Sequence, residues 1–253
     1  MEHSSPTGTQ AVDRAAQLLI QVARQRDPVT FTELTSASGL AKSTTSRLLT
    51  ALERNGLVRR DPAGRFSPGE VFVSYACRGG VEADLVSLAQ PVLARLGEQT
   101  GETVNLGVAR DGGLVEQIAQ IDSRYLIGGT NWVGMTVPLH CAALGKVLLA
   151  FGAADLSSGR LEARTPRTIT SRAALAAELA TVRDRGYAVT DEELEPGLVA
   201  VAAPVFAGRA VIAAVSVSAP ASRLPAAQLP GVAACCVAAA CSLSAQLGKE
   251  GAT

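Results

Sequence analysis

The sequence predicts an α+β protein of two domains, a small helical N-terminal part followed by a larger part in which strands and helices mix. Apolar residues first recur with the 3.6-residue period of helices, and after residue 101 they alternate with the two-residue period of strands. The length of 253 residues suits one small and one ordinary domain. With 47% hydrophobic and only 18% charged residues, the chain has ample material for buried cores.

The N-terminal part has the spacing of a helix-turn-helix. An amphipathic helix over Ala11–Arg26 precedes a short helix that begins at Phe31. Gly39 lies where the joint between two helices needs a residue that tolerates positive φ. A further helix is predicted from Ala41 to Asn55, where Gly56 follows its end. Its predicted buried stripe consists of Thr45, Leu48, Leu49 and Leu52.

A short basic hairpin follows these helices, with strands predicted over 57–60 and 65–67. Beside a helix-turn-helix, such a hairpin is typical of a wing that contacts the DNA backbone. The polar face of the preceding helix offers short donors and cations, which suit phosphates and base edges. The residues that we predict to contact DNA are Lys42, Ser43, Thr44, Ser46, Arg47, Arg59, Arg60 and Arg65.

The distribution of charge agrees with this prediction. Residues 1–80 contain ten Lys and Arg against seven Asp and Glu, a net charge of +3, whereas residues 81–253 have a net charge of −3. An ordinary helical pair with a solvated basic face is the alternative, and the basic hairpin argues against it. A second alternative is a ligand-sensing interaction protein whose helix-turn-helix has lost DNA binding. The intact polar face of the helix over Ala41–Asn55 argues against this alternative.

The double glycine Gly79-Gly80 is the strongest predicted domain boundary. We therefore divide the chain into a winged helix-turn-helix domain over 1–67, a linker helix over 68–80 and a second domain over 81–253. The linker contains a short helix over Glu70–Cys77. Helices in the second domain are predicted over 81–99, 142–151 and 225–247, with another capped by Ser171. Strands are predicted over 104–108, 114–121, 125–127, 187–190, 198–205 and 210–218, which suit a mainly antiparallel sheet flanked by helices.

Several classes of protein are disfavoured by the sequence. The polar start does not resemble a signal peptide, and we judge the apolar runs too short or too rich in small residues to span a membrane, so we expect a cytoplasmic protein without a membrane partner. Five cysteines without a paired C-x-x-C indicate neither a disulfide framework nor a zinc site. We expect Cys235, Cys236 and Cys241 to pack as small hydrophobes, with a redox role left open. We expect no metal and no cofactor.

The sequence also offers no recognisable catalytic constellation, and we expect no catalytic residues and no enzyme. His140 and Cys141 are adjacent, so on a strand they would point to opposite faces. The pair Gly145-Lys146 lacks the earlier glycine of a phosphate-binding loop. For the acidic residues 191–195, a solvated turn is favoured over a cation site.

Seven blocks along nearly the whole chain resemble the IclR family of transcriptional regulators. They are VDRA, GLAKSTTSRLLTALERNGLVRRD, TGETVNLGV, VPLHCAALGKVLLA, TPRTIT, RGYAVTDEELEPGLVAVAAPV and AVSVSAP. The resemblance implies a winged helix-turn-helix, a linker helix and a GAF-like effector domain. It also implies homodimers, often paired into tetramers, that bind operator DNA and respond to a small metabolite, frequently an organic or aromatic acid.

The resemblance places an effector pocket between the sheet and the PLHCAALGK block. The effector-binding residues that it implies are Leu126, Ala143, Leu144, Asp191, Ala200, Ser216 and Ser218. Ser216 and Ser218 share one face of a strand and can donate to a carboxylate, unless they merely face water. Ala200 replaces a cysteine of some family members and Thr190 an aspartate, so we expect a less polar pocket and a moderately apolar acid. Trp132 and Met135 either line this pocket or close the core.

Overall fold

The computed structural model describes residues 9–25, 27–77, 80–125, 130–156 and 158–248. The chain divides into two compact units, Met1–Ala83 and Asp84–Thr253, which are described separately. The predicted α+β class is confirmed: the first unit is helical with one hairpin, and the second is built on a six-stranded sheet.

Three helices form the core of the first unit: α1 (Thr9–Arg24), α2 (Phe31–Ser38) and α3 (Lys42–Arg54). Thr30 begins α2 with a capping box, in which its hydroxyl accepts the Glu33 N–H and the Glu33 carboxylate accepts the Thr30 N–H. Gly39 ends α2 with φ 65°, as its place in the joint predicts. The buried apolar cluster of this unit consists of Leu18, Val22, Leu34, Leu49, Leu52, Val58 and Phe66.

The hairpin pairs β1 (Val58–Arg60) with β2 (Phe66–Pro68) in antiparallel register. Phe66 also exchanges two backbone hydrogen bonds with Val29, of 2.8 and 2.7 Å, so the hairpin is attached to the connection between α1 and α2. The helix α4 spans Glu70–Cys77, as predicted.

The rest of the chain forms a sheet with helices on both faces. In chain order the elements are α5 (Gly80–Thr100), β3 (Thr103–Arg110), β4 (Leu114–Ile121), β5 (Thr136–Pro138), α6 (Ala143–Ala150), α7 (Arg172–Arg185), β6 (Ala188–Asp191), β7 (Leu198–Ala207), β8 (Ala210–Pro220), a 3-10 turn (Ala226–Gln228) and α8 (Leu229–Gln246). The strand order is β5-β4-β3-β8-β7-β6, and each neighbouring pair is antiparallel.

Two details of the predicted strands were wrong. The strand predicted over 125–127 does not begin at Tyr125, which lies in a bend, and the other two residues lie outside the described residues. The strand β5 was missed, because three residues that end in a proline are too short to give a periodic signal.

The two faces of the sheet have different surroundings. One face packs against α5 and α8 in a fully apolar layer, with residues such as Leu93, Leu106, Val215 and Leu243 at most 1% exposed. The other face packs against α6 and α7 and includes Ala202, Ala214, Val147 and Val182. Because both faces are covered, β3 is buried at successive positions instead of alternating between core and solvent.

The last helix departs from the expectation for apolar segments. Residues Ala226–Gln246 are long and apolar enough to cross a membrane by length and composition, contrary to the sequence-based judgement. In this fold α8 lies on the sheet and buries Ala233, Cys236, Ala240 and Leu243. Burial raises the pKa of the Cys236 thiol to about 12, which agrees with its predicted role as a small hydrophobe.

A buried ion pair fixes the segment that follows β6. Lys146 on α6 is fully buried and donates to Glu193 Oε1 at 2.5 Å. Thr165 and Thr168 donate to the carbonyl oxygens of Glu192 and Glu193, each at 2.6 Å. Burial raises the pKa of the Glu193 carboxyl, and the Lys146 ammonium opposes that rise. The acidic segment expected to be a solvated turn is therefore partly internal.

Replacing Lys146 should destabilise the protein, because it breaks the buried ion pair with Glu193. In Lys146→Met the Glu193 carboxylate is left buried without its cation, and the free energy of unfolding should fall by about 3–5 kcal/mol in urea denaturation. Adding Glu193→Gln should restore most of the loss, since the uncompensated charge is gone. As the matched control, Arg167→Met removes an exposed pair with Asp191 and should cost less than about 1 kcal/mol. Equal losses in Lys146→Met and Arg167→Met would contradict this account.

Candidate functional site

The exposed face of α3 presents a continuous polar surface. Lys42, Ser43, Ser46 and Arg47 are exposed and Thr44 is half-buried. They lie on this side because the opposite side of the helix packs its apolar stripe into the core of the first unit. Among the described residues no side chain caps the start of α3, so its first N–H groups remain available to an anion such as a phosphate.

The hairpin adds three exposed arginines beside this surface. Arg60 lies over the ring of Phe66, with its guanidinium carbon 5.3 Å from the ring centroid. Arg65 pairs with Asp61 at 2.9 Å, and Arg59 donates to a serine hydroxyl within the hairpin at 3.0 Å. Because exposed pairs of this kind contribute little free energy, Arg65 can exchange its partner for a phosphate.

A cavity of about 240 Å³ lies in the second unit, between the sheet and the start of α6. Of the residues predicted to bind an effector, Ala143, Leu144, Ala200, Ser216 and Ser218 line this cavity. Leu126 lies outside the described residues.

Asp191 requires a correction, because it does not line the cavity. Thr190 does, and successive residues of a strand point to opposite faces. The Asp191 carboxylate is accordingly exposed and pairs with Arg167. We therefore remove Asp191 from the candidate effector site.

The sheet wall of the cavity is a row of polar side chains placed by strand register. Ser216 of β8 lies opposite Asn105 of β3, and Ser218 lies opposite Thr103. Since cross-strand partners share a face, these four side chains face α6 together. Thr103, Asn105 and Gln117 were not predicted, although polar residues alternate with Val104 and Leu106 in the sequence of β3. Thr190 was considered only as the replacement of an aspartate.

This wall adds buried polar groups to a pocket that we expected to be less polar than in some family members. Gln117, Thr190 and Ser216 are 7%, 3% and 2% exposed, and within the described part of the chain their side chains have no hydrogen-bond partner. Ser216 therefore does not face bulk water, which was the alternative for this residue. Since buried polar groups without partners are costly, solvent or a ligand in the cavity must satisfy them.

The start of α6 forms the opposite wall. Ala142 begins this helix without a cap from any side chain that the structure describes, and Ala142, Ala143 and Leu144 all line the cavity. The N–H groups and the positive end of the helix dipole therefore lie beside the cavity and favour an anion. A Cβ on Gly145 would lie 2.2 Å from the Leu139 carbonyl oxygen, so only glycine allows α6 to pack this closely.

Two further side chains complete the charge and shape of the cavity. Arg223 lines it, but both oxygens of Glu102 accept from the guanidinium at 2.7 Å, which neutralises much of its charge. Trp132 lines the cavity and also packs against the core beside α6, so it satisfies both of its predicted roles. Met135 is exposed and is not part of the lining.

The adjacent residues His140 and Cys141 are both buried. His140 Nε2 lies 2.9 Å from the Glu162 carbonyl oxygen, and the residue is 5% exposed. Burial raises the pKa of the Cys141 thiol to about 11, so the thiolate that a nucleophile needs is rare at neutral pH. The surroundings of this pair support a structural role.

Comparison with known proteins finds a family match over each of the two units. Residues 80–245 match the bacterial transcriptional regulator IclR C-terminal family, and residues 11–62 match the IclR helix-turn-helix domain. The chain is 34% identical to the HTH-type transcriptional regulator XynR of Escherichia coli over 85% of its length and 88% of that protein. It is 33% identical to the transcriptional repressor IclR of Escherichia coli, over 85% of this chain and 81% of that protein.

The fold agrees as well. The crystal structure of the Thermotoga maritima IclR superposes with a TM-score of 0.60 at 26% identity, covering 95% of this chain and 99% of that one. Together the two matched domains account for the helix-turn-helix and for the sheet that contains the cavity. The chain belongs to the IclR family, whose members are transcriptional regulators with a DNA-binding helix-turn-helix domain and a C-terminal effector domain.

Proposed function

We propose that this regulator binds its operator through the polar face of α3 and the arginines of the β1–β2 hairpin. The observation that carries the proposal is the exposure of Lys42 and Arg47 beside an uncapped helix start, with no ion-pair partner for either among the described residues. Ser43, Thr44, Ser46 and Arg47 of this helix approach the bases. Lys42 and the hairpin arginines Arg59, Arg60 and Arg65 hold phosphates.

The operator-binding form that we propose is a homodimer, with pairing of dimers as a further step. A net charge of +3 over residues 1–80 provides few phosphate contacts, and a second copy would double them and allow two half-sites. The apolar side chains of α4 support self-association, since Val71, Phe72, Val73 and Tyr75 are between 37% and 52% exposed on one short helix.

The cavity, in this proposal, binds a small organic acid. The N–H groups at the start of α6 and the hydroxyls of Ser216 and Ser218 receive its carboxylate. Leu144 and Trp132 contact its apolar part, and the remaining polar wall accommodates hydroxyl or carbonyl groups. The acid alters operator binding only if its affinity differs between two arrangements of the protein.

The proposal also includes a cytoplasmic location and no enzymatic activity. Both are supported by the relatives, which are bacterial regulators. A protein that senses a ligand but has lost DNA binding is the competing proposal, and the operator-binding experiment separates the two.

Arg47→Ala should weaken operator binding and relax its sequence preference. Loss of a base contact should cost about 1–3 kcal/mol, whereas Arg60→Ala should weaken all sequences alike and reduce the salt slope by about one. Fluorescence anisotropy on the gene's own upstream region, with mutated operators and a series of salt concentrations, measures both effects.

The matched control for these variants is Arg209→Ala, an exposed arginine in the turn between β7 and β8. It should bind operator like the wild type. If Arg47→Ala keeps wild-type affinity and selectivity, α3 is not the recognition helix. If the wild type binds none of the upstream region, the competing proposal is favoured.

The double substitution Ser216→Ala, Ser218→Ala should reduce effector affinity and leave operator binding intact. Each lost hydrogen bond to a carboxylate is worth about 1.5–3 kcal/mol, so the dissociation constant should rise at least about tenfold. A thermal-shift screen of organic acids identifies the ligand, and calorimetry then measures its affinity for both proteins.

Ser242→Ala on the exposed side of α8 is the control for this pair and should bind the same acid normally. Normal effector affinity in the double variant would place the binding site elsewhere. Simultaneous loss of operator binding would instead show that the two serines are structural.

A further inference from the structure

The side-chain amide of Gln120, on β4, connects Asn105 in the sheet wall of the cavity to residues 130–132, of which Thr130 and Trp132 also line the cavity. Its Oε1 accepts from Asn105 Nδ2 at 3.0 Å and from the Trp132 backbone N–H at 2.9 Å. Its Nε2 donates to Asp122 Oδ1 at 2.6 Å and to the Thr130 carbonyl oxygen at 3.0 Å. These four bonds use both N–H donors and both acceptor sites of the amide.

The backbone partners determine which way this amide points. The Trp132 N–H can only donate and the Thr130 carbonyl can only accept, so Oε1 and Nε2 of Gln120 cannot be exchanged. Asn105 must then offer its nitrogen to Gln120. Its Oδ1 remains an acceptor without a donor among the described residues, on a side chain that is 2% exposed and lines the cavity.

An irregularity in the sheet brings Gln120 to this place. The pairing of β3 with β4 shifts between Leu106 and Gly107, so that Asn105 lies opposite Gln120 while Gly107 lies opposite Gln117. One residue of β4, Ile118, has no cross-strand partner on β3. Because a bulge re-aims the side chains that follow it, both glutamines share the face that contains the cavity.

We propose that Gln120 is a positioning residue of the effector cavity. Its amide holds residues 130–132, and with them the Trp132 indole, at the cavity, and it leaves the Asn105 Oδ1 as an acceptor for the ligand. The preferred acids then have a hydrogen-bond donor, such as a hydroxyl group, in addition to a carboxylate. Only this last consequence rests on the proposed function, since the anchoring of the segment does not depend on what the cavity binds.

Trp132 provides the readout, because it is the sole tryptophan of the sequence. Gln120→Leu removes all four hydrogen bonds, so residues 130–132 should open locally, and the constant for acrylamide quenching of Trp132 should rise by about twofold or more. Gln120→Glu keeps the two acceptor bonds, loses both donors and places a carboxylate beside Asp122. Its quenching constant should therefore lie between those of the wild type and Gln120→Leu.

The matched control is Gln117→Leu, on the same strand and the same cavity wall but, in the part of the chain that the structure describes, without a side-chain bond to residues 130–132. Its quenching constant should equal that of the wild type. Wild-type quenching in a Gln120→Leu protein with native circular dichroism would overturn the proposal, as would an equal rise in Gln117→Leu. If Gln120→Leu does not fold, Gln120→Glu decides in its place, and a value equal to that of Gln117→Leu overturns the proposal. Neither effector nor operator enters the measurement, so its failure is distinct from failure of the proposed function.

Discussion

The second unit depends on a sheet that is covered by helices on both faces. Apolar side chains fill the space between sheet and helices on one face, whereas the other face also contains the cavity. Against α5 and α8 the contact is apolar and continuous. Against α6 and α7 the sheet places Gln117, Thr190 and Ser216 in buried positions where the described part of the chain gives them no hydrogen-bond partner. The polar atoms of these side chains open into the cavity, where solvent or a ligand satisfies them, and replacing them by apolar groups would remove no hydrogen bond within the described part of the chain. We infer that the cavity retains them for a ligand.

The surroundings of the cavity are organised to hold these groups in place. The helix α6 supplies uncapped N–H groups at its start and, one turn later, the Lys146 ammonium that binds Glu193. Glu193 and its neighbours fix the segment that closes one side, and the Gln120 amide fixes the segment that closes another. Because both segments are tied to α6 or to the sheet, the two walls of the cavity keep a defined separation. Such rigid support is what a selective small-molecule site requires.

Much of this fold was predictable, since its signals are local. The stripe of α3, Gly39 in the joint and the Ser171 cap of α7 each follow from a few neighbouring residues, and all are confirmed. What the sequence did not predict around the cavity originates in contacts between residues far apart in sequence. The burial of Glu193 depends on Lys146, 47 residues earlier. The polarity of the cavity depends on the register of β3 with β8, of β8 with β7 and of β7 with β6. The irregularity that places Gln120 exists only in the pairing of β4 with β3. Alternation did predict that Ser216 and Ser218 share a face, but not that Asn105 joins them.

The most direct test of the retained polar wall is the stability of the ligand-free protein after two of its hydroxyls are removed. In Thr190→Val combined with Ser216→Ala, the free energy of unfolding in urea should equal or exceed that of the wild type, because no internal hydrogen bond is lost. Thr165→Val, whose hydroxyl donates to the Glu192 carbonyl, should lose about 1–3 kcal/mol in the same measurement. A comparable loss in the double variant would contradict the account, since it would show that these hydroxyls stabilise the fold and are not reserved for a ligand.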